Sequence, residues 1–329
     1  MKNSEIKNEN QVILFDMIQK TLPANYALVD VVSELLGVGT DATYRRMRGD
    51  KPISFEETVK LCKHFNISVD LLIKGKNIHQ FDCIYRPINL SKPDEYQNYI
   101  LALLENFEKL KTYDDSSILI SAMDIPSFYL LFYKELILFK LYAWSHSVYN
   151  YEGCFDDFIK EIETPVFINC HQKISNIYEF ISSAEIWTEN TINITLRLIS
   201  YYFDINCFSS KELPLLMCEQ ILKILGKLQK WAESGYKGEH KTPFQLYLSE
   251  IDLESTYVLM KHSGIKNVFT VNNLNIFDKE YCNETENYLN KLAQRSVLLC
   301  GVSEKERIKF FKTQQQKVLT LMEKIQNSF

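Results

Sequence analysis

The chain reads as mainly α, α+β overall. An N-terminal bundle of five short helices containing a helix-turn-helix is followed by a helix-rich α+β domain with a small antiparallel sheet. Three observations lead there. Apolar residues recur at three- and four-residue steps through most of the length, the pattern of helices with one buried face. The 329 residues include only 10 Gly and 8 Pro but 20 Phe and 19 Tyr, which suits helices and filled cores better than a loop-rich fold. The runs Thr256–Met260 and Val268–Val271 flank His262-Ser263-Gly264 as the two arms of a hairpin. The length allows two domains. Residues 1–76 form the helix-turn-helix domain, 77–116 a linker with a candidate dimerisation helix, and 117–329 the α+β domain.

The N-terminal elements follow in order. Val12–Leu22 is a first helix, with Ile13, Leu14, Met17 and Ile18 inward. Ala27–Leu36 is the second: Leu28, Val31, Val32, Leu35 and Leu36 make one stripe. Gly37 ends it, because glycine accepts a left-handed backbone cheaply. Val38 is the expected buried turn residue, and Thr40 the expected N-cap of a third helix, Asp41–Arg48. On that helix the three-residue spacing of Tyr44 and Met47 predicts that both face the core. Asp41, Ala42, Thr43, Arg45, Arg46 and Arg48 are left on other faces. Gly49, Asp50 and Pro52 stop it. Ser54 and Glu57 have capping-box spacing for a fourth helix, Phe55–Phe65, whose apolar side is Phe55, Val59, Leu61, Cys62 and Phe65. A fifth, Ser68–Ile73, carries Val69, Leu71 and Leu72 as a lid.

Three arginines on so short a helix need a reason. A guanidinium grips a guanine edge or a phosphate with two parallel hydrogen bonds, and a helix held out by a tight turn is the arrangement that enters a DNA major groove. Residues 10–75, through Leu28–Leu36, the turn Gly37–Thr40, the helix Asp41–Arg48 and the "SFEETVKLCKHFNISVDLL" tail, resemble the Cro/CI-type (XRE-like) helix-turn-helix domain of bacterial regulators. The resemblance implies a sequence-specific transcriptional regulator whose partner is double-stranded DNA. Base contacts then fall to Asp41, Ala42 and Arg45, with Thr43 and Arg46 nearby and Thr40 against a phosphate. Arg48 and Lys51 complete the basic patch. One departure stands out: the family's Glu-x-Gly helix ending is here Met47-Arg48-Gly49. The alternatives are a small bundle with a solvated basic face, and a helix-turn-helix that now contacts protein.

Charge fits a local patch, not a basic domain. Residues 1–76 hold 11 Lys and Arg against 10 Asp and Glu, and the remainder 26 against 32, for a net charge of −5. An acidic remainder suppresses nonspecific adhesion to nucleic acid. A homodimer is expected, because one helix-turn-helix reads few bases and pairing doubles the site.

Downstream, Asp94–Lys111 is helical. Its seam of Ile100, Leu103, Phe107 and Leu110 serves either dimerisation or packing on its own domain. Ile118–Ile120 suggests a buried strand, and Pro126 opens a long apolar helix, Phe128–Trp144. That run is short for a membrane span and is broken by Lys134, Glu135 and Lys140, so a buried or dimer-facing helix is expected and no membrane partner. Helical patterns follow near 156–163, 171–183, 190–205, 211–233 and 280–295. Ser303–Glu306 has capping-box spacing for a last helix.

Nothing here marks an enzyme. The chain lacks a P-loop, G-x-G-x-x-G, G-x-S-x-G and H-E-x-x-H, so no catalytic residue and no cofactor are expected. Its six His and eight Cys are dispersed, with no C-x-x-C pair, so no metal is expected and the thiols read as reduced and cytoplasmic. The polar start MKNSEIKNENQ has no signal-peptide pattern. Glu185-Ile186-Trp187, Thr188-Glu189-Asn190 and Arg197 could gather on an anion, or be a core anchor, a helix cap and a surface arginine. The abundant aromatics either line a pocket for an unidentified small-molecule effector or simply fill the core. The runner-up reading is an enzyme or toxin-like effector whose DNA-binding domain controls its own promoter.

Overall fold

The computed structural model describes residues 9–22, 27–65, 67, 69, 83–85, 93–270 and 274–328. The chain divides into two compact units, Met1–Asp82 and Cys83–Phe329.

The first unit contains α1 (Glu9–Thr21), α2 (Leu28–Leu36), α3 (Thr40–Met47) and α4 (Phe55–Phe65). The expected fifth helix, Ser68–Ile73, lies largely outside the described residues. Leu14, Phe15 and Ile18 of α1 pack with Leu28 and Val32 of α2, Leu61 and Cys62 of α4, and Ile67. Three expected core residues are exposed: Ile13, Phe55 and, on α3, Tyr44. Ile13 faces out, and Phe15 takes the inward place that it was assigned. Phe55 sits in the first turn of α4, before that helix reaches the core, and is 73% exposed. Gly37 closes α2 in the left-handed conformation, φ 67°, as its position predicts. The helix after the turn starts one residue early. Gly39 is the N-cap and Thr40 the first helical residue.

The second unit is a helix-wrapped sheet. Its helices are α5 (Pro93–Lys111), α6 (Ser127–Leu130), α7 (Lys134–Tyr149), α8 (Phe155–Ile162), α9 (Pro165–Tyr178), α10 (Asn193–Asp204), α11 (Glu212–Ser234), α12 (Lys279–Gln294) and α13 (Glu304–Asn327). Its strands are β1 (Cys83–Tyr85), β2 (Ser117–Ser121), β3 (Ser182–Thr188), β4 (Tyr236–Lys237), β5 (Thr242–Ser249), β6 (Tyr257–His262), β7 (Ile265–Thr270), β8 (Leu274–Ile276) and β9 (Val297–Leu298).

The small antiparallel sheet expected from the hairpin is instead, among the described residues, nine strands and mixed, in the order β1-β8-β7-β6-β2-β3-β5-β4, with β9 on β5. β2 runs parallel to β3, and β3 to β5. The parallel centre escaped the sequence for a physical reason. β3 is buried on both faces, yet it spends three buried positions on Ser183, Glu185 and Thr188, so no apolar run announces it. The pattern near 171–183 predicted helix, whereas the helix stops at Tyr178. The hairpin itself forms as predicted: β6 and β7 pair antiparallel through Ser263 and Gly264, both at positive φ.

Alternation along the strands feeds two cores. Leu119, Ile186, Leu259 and Val268 pack against Cys282, Leu289 and Ala293 of α12. Ile118, Ile120, Trp187, Phe244 and Leu246 face the larger core built by the other helices. The apolar run Phe128–Trp144 is two elements, not one helix. α6 ends at Leu130 and α7 begins at Lys134, with most of α7 buried around its circumference. Among the described residues no helix is long and apolar enough to cross a membrane. Of the expected seam of α5, Ile100, Phe107 and Leu110 are buried in the large core of its own unit, whereas Leu103 is half-buried and Leu104 takes the inward place. β1, in the segment expected as linker, pairs with β8. Ser303 caps α13 by position, but its side chain makes no capping hydrogen bond.

Candidate functional site

The geometry of α3 follows from three attachments. The first is to α2. Thr43 is fully buried, and its hydroxyl meets that of Ser33 at 2.8 Å where the two helices cross. Small side chains at a crossing let the backbones approach, so Thr43, not Tyr44, takes the inward position. The second attachment is to α4. Arg46 is buried, and its Nη2 lies 2.8 Å from Glu57 Oε1, while Nη1 donates to the Ala42 carbonyl. Glu57 also closes the predicted capping box. Its Oε2 accepts from Ser54 N at 2.9 Å, and its own N–H donates to Ser54 Oγ at 3.1 Å. Burial pushes the Glu57 carboxyl upward, but the Ser54 N–H and the Arg46 guanidinium outweigh it and hold it below the usual value of 4.5. The third attachment is Gln11 of α1, which is buried. Its Nε2 donates to the carbonyls of Arg46 (2.6 Å) and Lys51 (2.7 Å), and its Oε1 accepts from Ile53 N (2.9 Å). One amide thus satisfies three backbone groups in the turn that leaves α3.

With Thr43, Arg46 and Met47 turned inward, the outward face of α3 is Asp41, Tyr44, Arg45 and Arg48, an i, i+3, i+4, i+7 stripe. This redistributes the residues singled out from sequence. Thr40, Asp41, Arg45, Arg48 and Lys51 are exposed and Ala42 is half-buried. Thr43 and Arg46 are in the interior, so neither presents its polar end to a partner. Tyr44, expected in the core, is 49% exposed. Arg48 Nε is 2.9 Å from Asp50 Oδ2, an exposed pair that tempers its charge. Gln11 and Tyr44 were missed by sequence reasoning. A three-residue step to Met47 from Tyr44 and a four-residue step from Thr43 are equally helical, and the contacts of Thr43 with Ser33 and of Arg46 with Glu57 separate them.

In the second unit, Glu185, Trp187 and Arg197 do not assemble. Arg197 is exposed on α10, whereas Glu185 and Trp187 are fully buried. Glu185 Oε1 accepts from the Tyr129 hydroxyl (2.5 Å) and from that of Tyr178, and Oε2 accepts from Trp187 Nε1 (2.9 Å). Burial raises the Glu185 carboxyl. Lys237, also fully buried, donates to the Tyr178 carbonyl at 2.8 Å and lies 3.7 Å from the centre of the Tyr178 ring. Burial lowers its ammonium to about 7, against the pull of Glu185 and Glu179. These groups satisfy one another inside a sealed core.

The carboxyl ends of β2 and β3, where parallel sheets usually take ligands, are tied together. Thr191 Oγ1 donates to the Ala122 carbonyl and accepts from Thr188 N, both at 2.9 Å. The amino ends instead border a cavity of about 630 Å³, walled by Ser117, Ser183, Tyr236, Phe244, Gln245 and Lys261 among others. Its size is that of a small-molecule site. Among the described residues no group of three His, Cys, Asp or Glu is placed to hold a metal ion. The chain matches no protein-family model, no curated protein and no solved structure.

Proposed function

We propose that the chain is a sequence-specific DNA-binding regulator of transcription, of the Cro/CI helix-turn-helix kind, acting in the bacterial cytoplasm. In this reading α3 enters the major groove with its outward stripe. Arg45 takes a base edge, while Arg48, Lys51 and the exposed Thr40 meet phosphates. The protein binds as a homodimer, and the second unit dimerises, senses a small molecule, or both. The amino-end cavity is the place for that effector.

The observation that carries the reading is the stripe itself. A short helix braced on α2, α4 and α1 turns its charged side, with Asp41, Arg45 and Arg48, outward, where Arg48 pairs with the exposed Asp50. Bracing from three sides is what a reading helix needs, since base-edge hydrogen bonds tolerate little misplacement.

The test is binding of the purified full-length protein to DNA from around its own coding region at two salt concentrations, beside Arg45→Ala. Selective, salt-dependent binding that the variant loses supports the reading. Absence of selective binding at low salt overturns it.

A further inference from the structure

Tyr44 is the one residue of the α3 stripe with an aromatic ring, and the fold does not use it. It is 49% exposed, and among the described residues its hydroxyl has no hydrogen-bond partner and its ring no aromatic neighbour. It stands between Asp41, one turn toward the N-terminus, and Arg48, one turn toward the C-terminus, with Arg45 beside it. Every other large apolar group of α3 is turned inward: Met47 packs against the core of the first unit.

A ring held among three charged side chains on a braced helix is poorly explained by packing. It does suit an apolar feature on a surface that is otherwise polar. In the major groove that feature is the 5-methyl group of thymine, the only apolar group a base pair presents there. Asp41 supplies an acceptor suited to the exocyclic amine of cytosine, and Arg45 a fork suited to guanine N7 and O6.

We propose that Tyr44 is a specificity-determining residue, and that its ring packs on the methyl group of a thymine adjacent to the guanine read by Arg45. The inference rests on the DNA-binding reading above and deepens it by naming the base. The ring, not the hydroxyl, carries the contact. A phosphate contact through the hydroxyl would weaken all sequences alike and carry no base preference.

The experiment uses the full-length protein and a random-sequence duplex library to select the preferred site. Each thymine of that site is then replaced in turn by deoxyuridine, which lacks only the methyl group. Wild type, Tyr44→Phe and Tyr44→Ala are compared after their melting temperatures are shown to agree, as expected for an exposed position. The wild type should lose about fourfold in affinity at one thymine beside a guanine, the ratio that corresponds to burying one methyl group. Tyr44→Phe should keep that discrimination and Tyr44→Ala should lose it. If the site lacks such a thymine, if the alanine variant still discriminates, or if Tyr44→Phe weakens every sequence equally, the assignment to Tyr44 is overturned and DNA binding stands. If the library yields no preferred site, the DNA reading falls and the assignment falls with it.

Discussion

Arg46 and Glu57 are joined side chain to side chain at 2.8 Å, and the pair ties α3 to α4 from inside the first unit. Arg46 is buried, and Glu57 is the same residue that caps α4 through Ser54. One carboxylate therefore sets both the start of α4 and the rotation of α3. Two neighbouring arginines on one short helix consequently have opposite tasks: Arg46 holds the helix and Arg45 faces outward.

The division predicts a contrast between two alanine variants. Arg46→Ala should destabilise the first unit by about 2 kcal/mol, the order of a hydrogen bond to a charged group left unmade. Arg45→Ala should leave the melting temperature unchanged and cost ~1–3 kcal/mol in binding to the preferred DNA. Thermal melts beside a binding titration separate the two. Equal melting temperatures for both variants would show that the buried pair does not hold α3.

Acid should loosen this unit through Glu57. Its carboxyl is held below 4.5 in the folded chain, so its contribution is present above that value and is lost as the pH falls through the folded value. Unfolding followed from pH 6 to pH 3 should show the decline, and Glu57→Gln should make it shallower. An unchanged profile in the variant would assign the acid sensitivity elsewhere.

Gln11 is predicted to matter beyond its place at the start of α1. Gln11→Ala removes both donors to the Arg46 and Lys51 carbonyls and the acceptor for Ile53 N. The expected cost is ~1–3 kcal/mol, because buried backbone groups lose their partners. Amide exchange should quicken first at Ile53. Protection there equal to the wild type would show that the Gln11 amide is dispensable.

In the second unit, Lys237 should impose a pH slope of the opposite origin. Its folded value of about 7 lies below the ordinary 10.5, so above pH 7 the unfolded chain binds the extra proton and stability rises with pH. In the window from pH 7 to 8, which ends a full unit below the ordinary Cys value of 9.0, the difference between the wild-type slope and that of Lys237→Met reports this lysine. The slope should approach, without exceeding, about 1.4 kcal/mol per pH unit. Urea titrations across the window should show it in the wild type and not in Lys237→Met. A slope that survives in the variant would rule out Lys237 as its source.

What could be read without the structure was what neighbours in sequence decide. Gly37 ends α2 because a left-handed residue is cheap only there. Ser54 and Glu57 close a box across three residues. Ser263-Gly264 turns a hairpin between strands that adjoin in the chain. Each rests on interactions spanning a few residues, so residue type and spacing suffice.

The tertiary structure decided what depends on partners far along the chain. Thr43 or Tyr44 can each face inward by helical period, and Ser33 of α2 selects Thr43. Arg46 looks like a DNA-facing cation until Glu57 of α4 buries it. Glu185 looks like an anion-site residue until Tyr129, Tyr178 and Trp187 close around it. β3 pairs in parallel with two strands, β2 some sixty-five residues before it and β5 some sixty after, and no local pattern encodes such a partnership. Period and capping specify that an element forms. Which of its faces is buried is set by the surfaces that meet it, and those are brought together only by folding.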